Sequence, residues 1–506
     1  MTSKLKAILL LAALTTSLPA INAAPLKPLI GRHKPARAVP AAATATPPID
    51  ATPARAPEAL PALPADIAVA TVAAPGAPDA AAPTGIAELR AAYAFAVPIY
   101  EMMRTRYLQL SKVEAAGPGV NRLYARTTLA DARTRDVTTP NNDTLYASAW
   151  LDLAGGPVIL DAPAVPGRYH SAALMDLFTN NVAIVGTRSG GKGGRYLIAG
   201  PRWRGTVPPG LTLLRSPTND AWLLVRVLVN GPEDLPAATG LVRGFSLEVS
   251  ADHATPVPIT AVPVANPTPA VFLAVVNEAL GRSPLPDRAR AFASVGIIPL
   301  TPADAGDAPT LPAAVAARWA AALPALRTEL KGGLAAVGTA VDGWHYPDPG
   351  VGAYGDSDDA GRARVALGGL GALPRTEAVY LTAAVDKSGA PLTGAKAYTV
   401  HLPAHLPVGA FWSLTMYQPD ATGRLFFVDT PSKRFAVGDR TDLHAERDGS
   451  FDIFVQPTAP SGERVVNWLP SPKGPFRIVF RAYRPGPDLL DGSFKLPPVE
   501  VTELIP

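Results

Sequence analysis

Short polar side chains crowd together with aromatic rings between residues 140 and 188. Asn141, Asn142 and Asp143 come just before Tyr146, Arg168 and Tyr169 follow a Pro-Gly turn, Asp176 precedes Asn180 and Asn181, and Arg188 closes the run. Uncharged donors and acceptors beside flat rings suit a neutral polyhydroxylated ligand, with rings for sugar faces and amides for hydroxyl groups. Trp412, Tyr417 and Trp468 add further rings from the C-terminal part. Two carboxylates, Asp143 and Asp176, are the candidate acid and base for hydrolysing such a ligand, which requires carboxyl groups about 5–10 Å apart across a cleft. A buried hydrogen-bond network that fixes loop geometry explains the same residues equally well, because buried polar groups demand partners.

Other motifs fail on their own terms. Gly186–Gly194, Gly-Thr-Arg-Ser-Gly-Gly-Lys-Gly-Gly, nearly spells a phosphate-binding loop, but Gly193 stands where a magnesium-binding Ser or Thr belongs and strand-like residues follow. A glycine-rich hairpin loop is the better reading. Ser189 and Lys192 have Ser-x-x-Lys spacing, yet two intervening glycines oppose the helix that would align them. His401 and His405 flank Pro403 in an extended stretch, so they do not converge as metal ligands. Asp356, Asp358 and Asp359 lack the glycine and distal glutamate of a calcium loop and read as a solvated turn. No metal or other cofactor is indicated. Ser413 or Ser216 would serve an ester hydrolase only with a nearby histidine, which the spacing does not reveal.

The elements that must hold these residues follow from periodicity. Apolar residues recur at helical spacing from Ile86 to Lys112, with Pro98 expected to kink or divide the helix. From 127 to 229, short apolar runs alternate with Gly and Pro turns, as an antiparallel sheet or sandwich requires, although Ala221–Leu228 could be helical. Alternation places His170, Ala172, Leu174 and Asp176 on one strand face and Tyr169, Ser171, Ala173 and Met175 on the other. Helical spacing returns in Val271–Leu280 and Ala313–Leu334, and strands resume at Ala397–His401, Trp412–Tyr417, Phe451–Gln456 and Phe476–Tyr483. The expected fold is α+β and predominantly β, with two antiparallel β-sandwich-like domains joined by a helical insert.

The chain has 506 residues, 56 prolines, 43 glycines and no cysteine. Without cysteine there is no disulfide, thiol nucleophile or thiolate ligand. Lys4 and Lys6 followed by the apolar run Ala7–Leu14 and small residues near Ala23 read as an export signal over residues 1–23, and the run is shorter than the ~20 residues that span a bilayer. Residues 24–84 are an Ala/Pro-rich linker with few side chains to bury. Residues 85–235 form the N-terminal β-rich domain, 236–347 the helical connection and 348–506 the C-terminal β domain. The expected location is periplasmic or secreted. Residues 85–506 hold 39 basic and 38 acidic side chains, so this body carries no nucleic-acid footprint. The expected partner is a small-molecule or glycan ligand; a homo-oligomer is compatible with the composition.

The motifs Pro140-Asn-Asn-Asp-Thr-Leu-Tyr146, Gly167-Arg-Tyr-His170, Met175–Asn181, Gly186-Thr-Arg188, Arg215–Asn219 and Gly231–Asp234 resemble the domain of unknown function DUF1254. Pro407–Tyr417, Arg434–Thr441, Asp448–Ser450, Asn467-Trp-Leu-Pro470 and Gly474–Phe476 resemble its C-terminal companion, DUF1214. The chain departs from that resemblance at Ala372, where members usually carry Asn after Gly-Leu-Gly. The resemblance implies an exported, two-domain, β-rich protein with no established common reaction. The first functional expectation is binding, with hydrolysis or modification, of a neutral glycan or glycolipid of the cell envelope. A non-catalytic binding or assembly module, with Trp150, Trp412 and Trp468 as platforms, and a hydrolase of hydrophobic esters or polymers are the alternatives; if the chain is an enzyme, it is a hydrolase.

Overall fold

Strand alternation and sheet pairing build two sandwiches, each with a dry core of its own and one polar, ring-bearing face left over. The computed structural model describes residues 85–111, 119–284, 286–300, 311–332, 338–421 and 423–504. The expected export signal and linker lie outside the described residues, which belong to one compact unit, Asp79–Pro506.

The chain order is α1 (Ile86–Leu110), β1 (Tyr124–Ala125), β2 (Thr144–Asp152), β3 (Val158–Ala162), β4 (His170–Asp176), β5 (Asn181–Gly186), β6 (Gly194–Ala199), β7 (Leu211–Arg215), β8 (Asp220–Leu228), α2 (Leu235–Arg243), β9 (Ser246–Val249) and α3 (Pro269–Gly281). It continues with α4 (Ala313–Gly332), β10 (Thr339–Val341), β11 (Trp344–Tyr346), α5 (Asp359–Gly369), β12 (Ala378–Ala383), β13 (Ala397–Leu402), β14 (Val408–Pro419), β15 (Leu425–Phe426), β16 (Ala436–Gly438), β17 (Phe451–Gln456), β18 (Trp468–Pro470), β19 (Arg477–Pro485), α6 (Pro487–Asp491) and β20 (Val499–Thr502).

In the N-terminal half the sheet β1-β2-β8-β4-β5 packs on β7-β6-β3-β9, and Leu145, Ala147, Leu174, Val225 and Val227 meet Val158, Leu160 and Ile198 between them. In the C-terminal half a seven-stranded sheet, β10-β11-β12-β19-β14-β15 with β16 on β14, packs on β18-β17-β13-β20 around Leu381, Val400, Leu414, Val455 and Phe480. Pairing is antiparallel except for β6 with β7 and β17 with β18. The fold is therefore α+β with two sandwiches and a helical insert. Helices α1, α3 and α4 share a third core around Phe95, Phe272 and Trp319.

One local expectation is corrected and two open readings are resolved. Pro98 is buried inside one continuous helix, so α1 is not divided there. Residues 220–228 form a strand rather than a helix, because β8 is central in its sheet and both of its faces are covered. The Gly186–Gly194 loop is not a hairpin: β5 and β6 belong to different sheets, and the glycines carry the chain between them. Gly186, at φ +134°, lies so close to His170 O that an added Cβ would sit 2.4 Å from it. The Asp356–Asp359 run also has a local structural role, since Asp358 Oδ1 accepts the Gly361 N–H at 2.8 Å and caps α5.

Candidate functional site

Antiparallel register aligns the side chains that the two cores do not use. On β2 and β8, Tyr146 pairs with Arg226, Ser148 with Leu224 and Trp150 with Trp222, one face of the N-terminal sheet. On β12, β19 and β14, Tyr380 pairs with Arg481, Ser413 with Arg481 and Phe411 with Tyr483, one face of the C-terminal sheet. Their neighbours in sequence, Leu145, Leu223, Leu381, Leu414 and Phe480, point into the dry cores.

Between these two faces lies a cavity of about 530 Å³. Tyr146, Ser148, Trp222, Leu224 and Arg226 line it from the N-terminal sheet; His345, Tyr380, Thr382, Arg477, Val479, Arg481 and Tyr483 line it from the C-terminal sheet. Gln109 of α1, Arg364 of α5, the stretch from Gly368 at the end of α5 to Ala372 and the segment from Asp136 to Asn141 also line it. Ala372, the position that departs from the family resemblance, thus lines the chamber.

The polar lining is ordered by its own bonds. Trp222 Nε1 donates to Ser148 Oγ at 2.8 Å, Ser148 donates to Gln109 Oε1 at 3.0 Å, and Trp150 Nε1 donates to the same oxygen at 3.0 Å. The Trp150 and Trp222 rings stack at 4.8 Å, only 9° from parallel. Arg226 is 4% exposed and donates from Nη2 to Gly371 O at 2.7 Å. Arg481 donates to Thr415 Oγ1 at 2.8 Å and Tyr417 Oη at 2.5 Å. Burial raises the pKa of Tyr380 and Tyr483, and pushes that of Tyr417 up to about 12, so these phenols stay protonated. His345 is shifted the other way, below its ordinary value, first by burial and then by the Arg477 charge.

Of the residues expected from sequence, Asn141 and Tyr146 line the cavity. Most of the others brace one half against the other. Asn141 Nδ2 donates to Tyr483 Oη at 2.9 Å, and Tyr169 Oη donates to the buried Glu377 at 2.8 Å. Arg188 Nε donates to the second Glu377 oxygen at 2.6 Å. Asn181 Nδ2 reaches the carbonyls of Gly352 and Ala372 at 3.0 and 2.9 Å, and Asn180 Oδ1 accepts the Tyr354 N–H at 3.0 Å. Tyr417 donates to Pro140 O.

The two candidate carboxylates are held in this bracing and neither lines the cavity. Asp143 accepts from Ser413 Oγ at 2.6 Å and Arg440 Nη2 at 2.8 Å. Asp176 accepts the Asn180 N–H at 2.8 Å and the Asn180 amide at 3.1 Å, and burial raises its pKa. Arg168 pairs with Asp234 within the N-terminal half, and Asn142 lies partly exposed outside the chamber. Trp412 faces the C-terminal core, stacked on Phe480, while Trp468 donates to Gln456 O at 2.8 Å. Ser216 donates to Thr218 O at 2.6 Å and Ser413 to Asp143, so neither is hydrogen-bonded to a histidine. His401 sits 2.8 Å from Asp452. Among the described residues no group of three or more His, Asp or Glu stands together as a metal site, and no helix is long and apolar enough to cross a membrane.

Sequence reasoning missed Arg226, His345, Arg364, Tyr380, Arg477, Arg481 and Tyr483 in the cavity wall. The available signal was a cation inside an apolar strand run, as in Trp222-Leu-Leu-Val-Arg226 and Arg477-Ile-Val-Phe-Arg481-Ala-Tyr483.

A family model described as "Protein of unknown function (DUF1254)" matches residues 120–249, and one described as "Protein of unknown function (DUF1214)" matches residues 377–487. No curated protein matches the chain significantly. The crystal structure of the VPA0106 protein from Vibrio parahaemolyticus is similar over 83% of this chain and 100% of its own, at 23% identity and a TM-score of 0.61, a likeness of fold alone. The crystal structure of an uncharacterized protein from Burkholderia cenocepacia covers 81% of this chain and 89% of its own, at 12% identity and a TM-score of 0.42.

Proposed function

Because the chain belongs to the family that joins DUF1254 to DUF1214, descriptions that state no activity, we propose its function from the chamber: an exported protein that binds a small ligand of the saccharide class between its two sandwiches. The observation that carries this reading is the cavity of about 530 Å³, walled by Tyr146, Trp222 and Tyr380 rings and by Gln109, Ser148 and Thr382. Its size falls within the range of about 300–1,000 Å³ typical of small-molecule sites. Flat rings match the C–H faces of a sugar, and the neutral polar groups match its hydroxyls.

Binding is favoured over hydrolysis. Glycoside hydrolysis uses two carboxyl groups flanking one bond, whereas Asp136 is the sole carboxylate among the described residues of the lining and pairs with Arg126. Asp143 and Asp176 already satisfy protein donors.

A thermal-shift screen of the full chain against mono- and oligosaccharides, lipids and esters tests the reading. A saccharide at a hundredfold excess over its Kd will stabilise the protein by about 2.7 kcal/mol, and Tyr146→Ala will remove that shift. Stabilisation by lipids or esters alone, with every saccharide inert, would overturn the proposal.

The export part of the proposal rests on Lys4, Lys6 and the apolar run Ala7–Leu14. Cell fractionation will recover a chain lacking residues 1–23 outside the cytoplasm. Recovery of the intact chain in the cytosol would refute export while leaving the ligand reading open.

A further inference from the structure

We propose that the saccharide bound in this chamber is an acidic one, whose carboxylate is received by the unpaired guanidinium of Arg226 in a cavity that Arg477, on the opposite wall, makes more positive. This inference rests on the chamber being the ligand site and adds the charge of its ligand.

The observation begins with Arg226. It is 4% exposed and reaches into the cavity wall, yet Nη2 alone is hydrogen-bonded, to Gly371 O; Nε and Nη1 have no partner. No carboxylate pairs with it among the described residues. Its guanidinium lies 5.5 Å from the centre of the Tyr146 ring, which offers a π face but no negative charge. A buried cation without a counterion is costly, and a polar group left bare adds to that cost. A ligand that brings the missing charge removes both.

The rest of the wall points the same way. Arg364 and Arg477 line the chamber and form no ion pair among the described residues, and Arg364 Nε is also without a partner. His345 Nδ1 is buried and unpartnered in the same wall, and burial first, then the nearby Arg477 charge, disfavour its protonation. The field inside the cavity is therefore positive. The planar fork of a guanidinium matches the two oxygens of a carboxylate, while the rings and neutral donors remain available to the sugar body.

Arg481 is not counted toward the anion site, because its donors already serve Thr415, Tyr417 and the Thr139 carbonyl. Arg126 is excluded as well, since Asp136 neutralises it.

Isothermal titration of the full chain with galacturonate and glucuronate, against galactose and glucose, tests the inference, with citrate and inorganic phosphate as anions lacking a sugar ring. A uronate will bind at least about tenfold more tightly than its neutral parent, the scale expected when a neutral hydrogen bond becomes a charged one. Arg226→Gln and Arg477→Gln will each reduce that ratio several-fold while sparing the neutral sugar. Arg477 is partly exposed and its variant will fold even if the Arg226 variant does not. Neutral sugars binding as well as uronates, or ratios unchanged in the Arg477 variant, would overturn the acidic assignment and leave the saccharide reading standing. Citrate or phosphate binding with no response to any sugar would sink the saccharide class instead, and silence from every compound would defeat both.

Discussion

Replacing Asp220 with alanine will destabilise the protein by about 3–5 kcal/mol, the cost of leaving buried charges without their partner. Asp220 opens β8 and takes two guanidinium groups at once: Arg106 from α1, and Arg282, whose Nε lies 2.7 Å away at the end of α3. Arg282 also donates from Nη2 to Asp152 on β2 at 2.8 Å, and Asp152 is the register partner of Asp220. All four side chains are buried. The cluster therefore ties two helices of the helical layer to the two central strands of the N-terminal sandwich. Alanine would leave Arg106 with no carboxylate and Arg282 with only one. Urea unfolding of Asp220→Ala checks the magnitude, and a loss under 1 kcal/mol would show that the cluster contributes little. An Arg106→Met, Asp220→Ala pair should cost less than the sum of its parts, because the second change removes a charge the first has stranded.

The same carboxylate sets an acid limit. Burial pushes the pKa of Asp220 upward, but the Arg106 and Arg282 charges outweigh it and hold the group below its ordinary value. A depressed folded-state pKa means that the unfolded chain binds the proton more readily, so stability falls as pH drops. The contribution of Asp220 is complete above its unfolded value of about 3.9 and disappears as pH falls through the lower folded value.

Trp222→Ala will cost about 3–5 kcal/mol, the range for removing a large buried ring. The indole fills space between Trp150 and the turn at Gly371, where an added Cβ would come within 3.3 Å of the ring. Its N–H also begins the chain of hydrogen bonds through Ser148 to Gln109. Removal leaves Ser148 without its donor and enlarges the chamber at once. The near-ultraviolet circular dichroism of the stacked indole pair should vanish along with the stability. Retention of that signal in Trp222→Ala would mean that the two rings do not interact in solution.

Much of the fold could be read because local pattern and tertiary role agree. The C-terminal run Phe451–Gln456 is a strand at the expected bounds, and Ala172 and Leu174 face the core as alternation requires. The central strand β8 was ambiguous because Trp222 and Leu224 make its cavity face as apolar as its core face, which removes the period-two signal. The Gly186 loop misled for another reason. Which sheet a strand joins is decided by partners far away in sequence, and glycines mark a turn without naming its destination.

The candidate site divides along the same line. Sequence singled out Asn141, Tyr169, Asn181 and Arg188 because several polar groups stand close together in the chain, and the structure uses them to join the two halves. The cavity cations Arg226 and Arg477 stand alone in apolar strands, on opposite walls, and only sheet packing brings them to one chamber. Trp412 is directed inward by its parity on β14, where Phe411 and Ser413 take the other face.

The chamber has one wall from each sandwich, and the bond from Asn141 to Tyr483 closes a loop of 342 residues. Closure over such a span comes after local pairing, because chain entropy opposes long-range contacts until each sheet offers a finished surface. The chamber is therefore the last feature this chain completes as it folds, and the ligand binding proposed for it would come last. Either sandwich produced alone would display half a wall and no affinity, and mixing the two halves should restore binding only to the extent that they find each other.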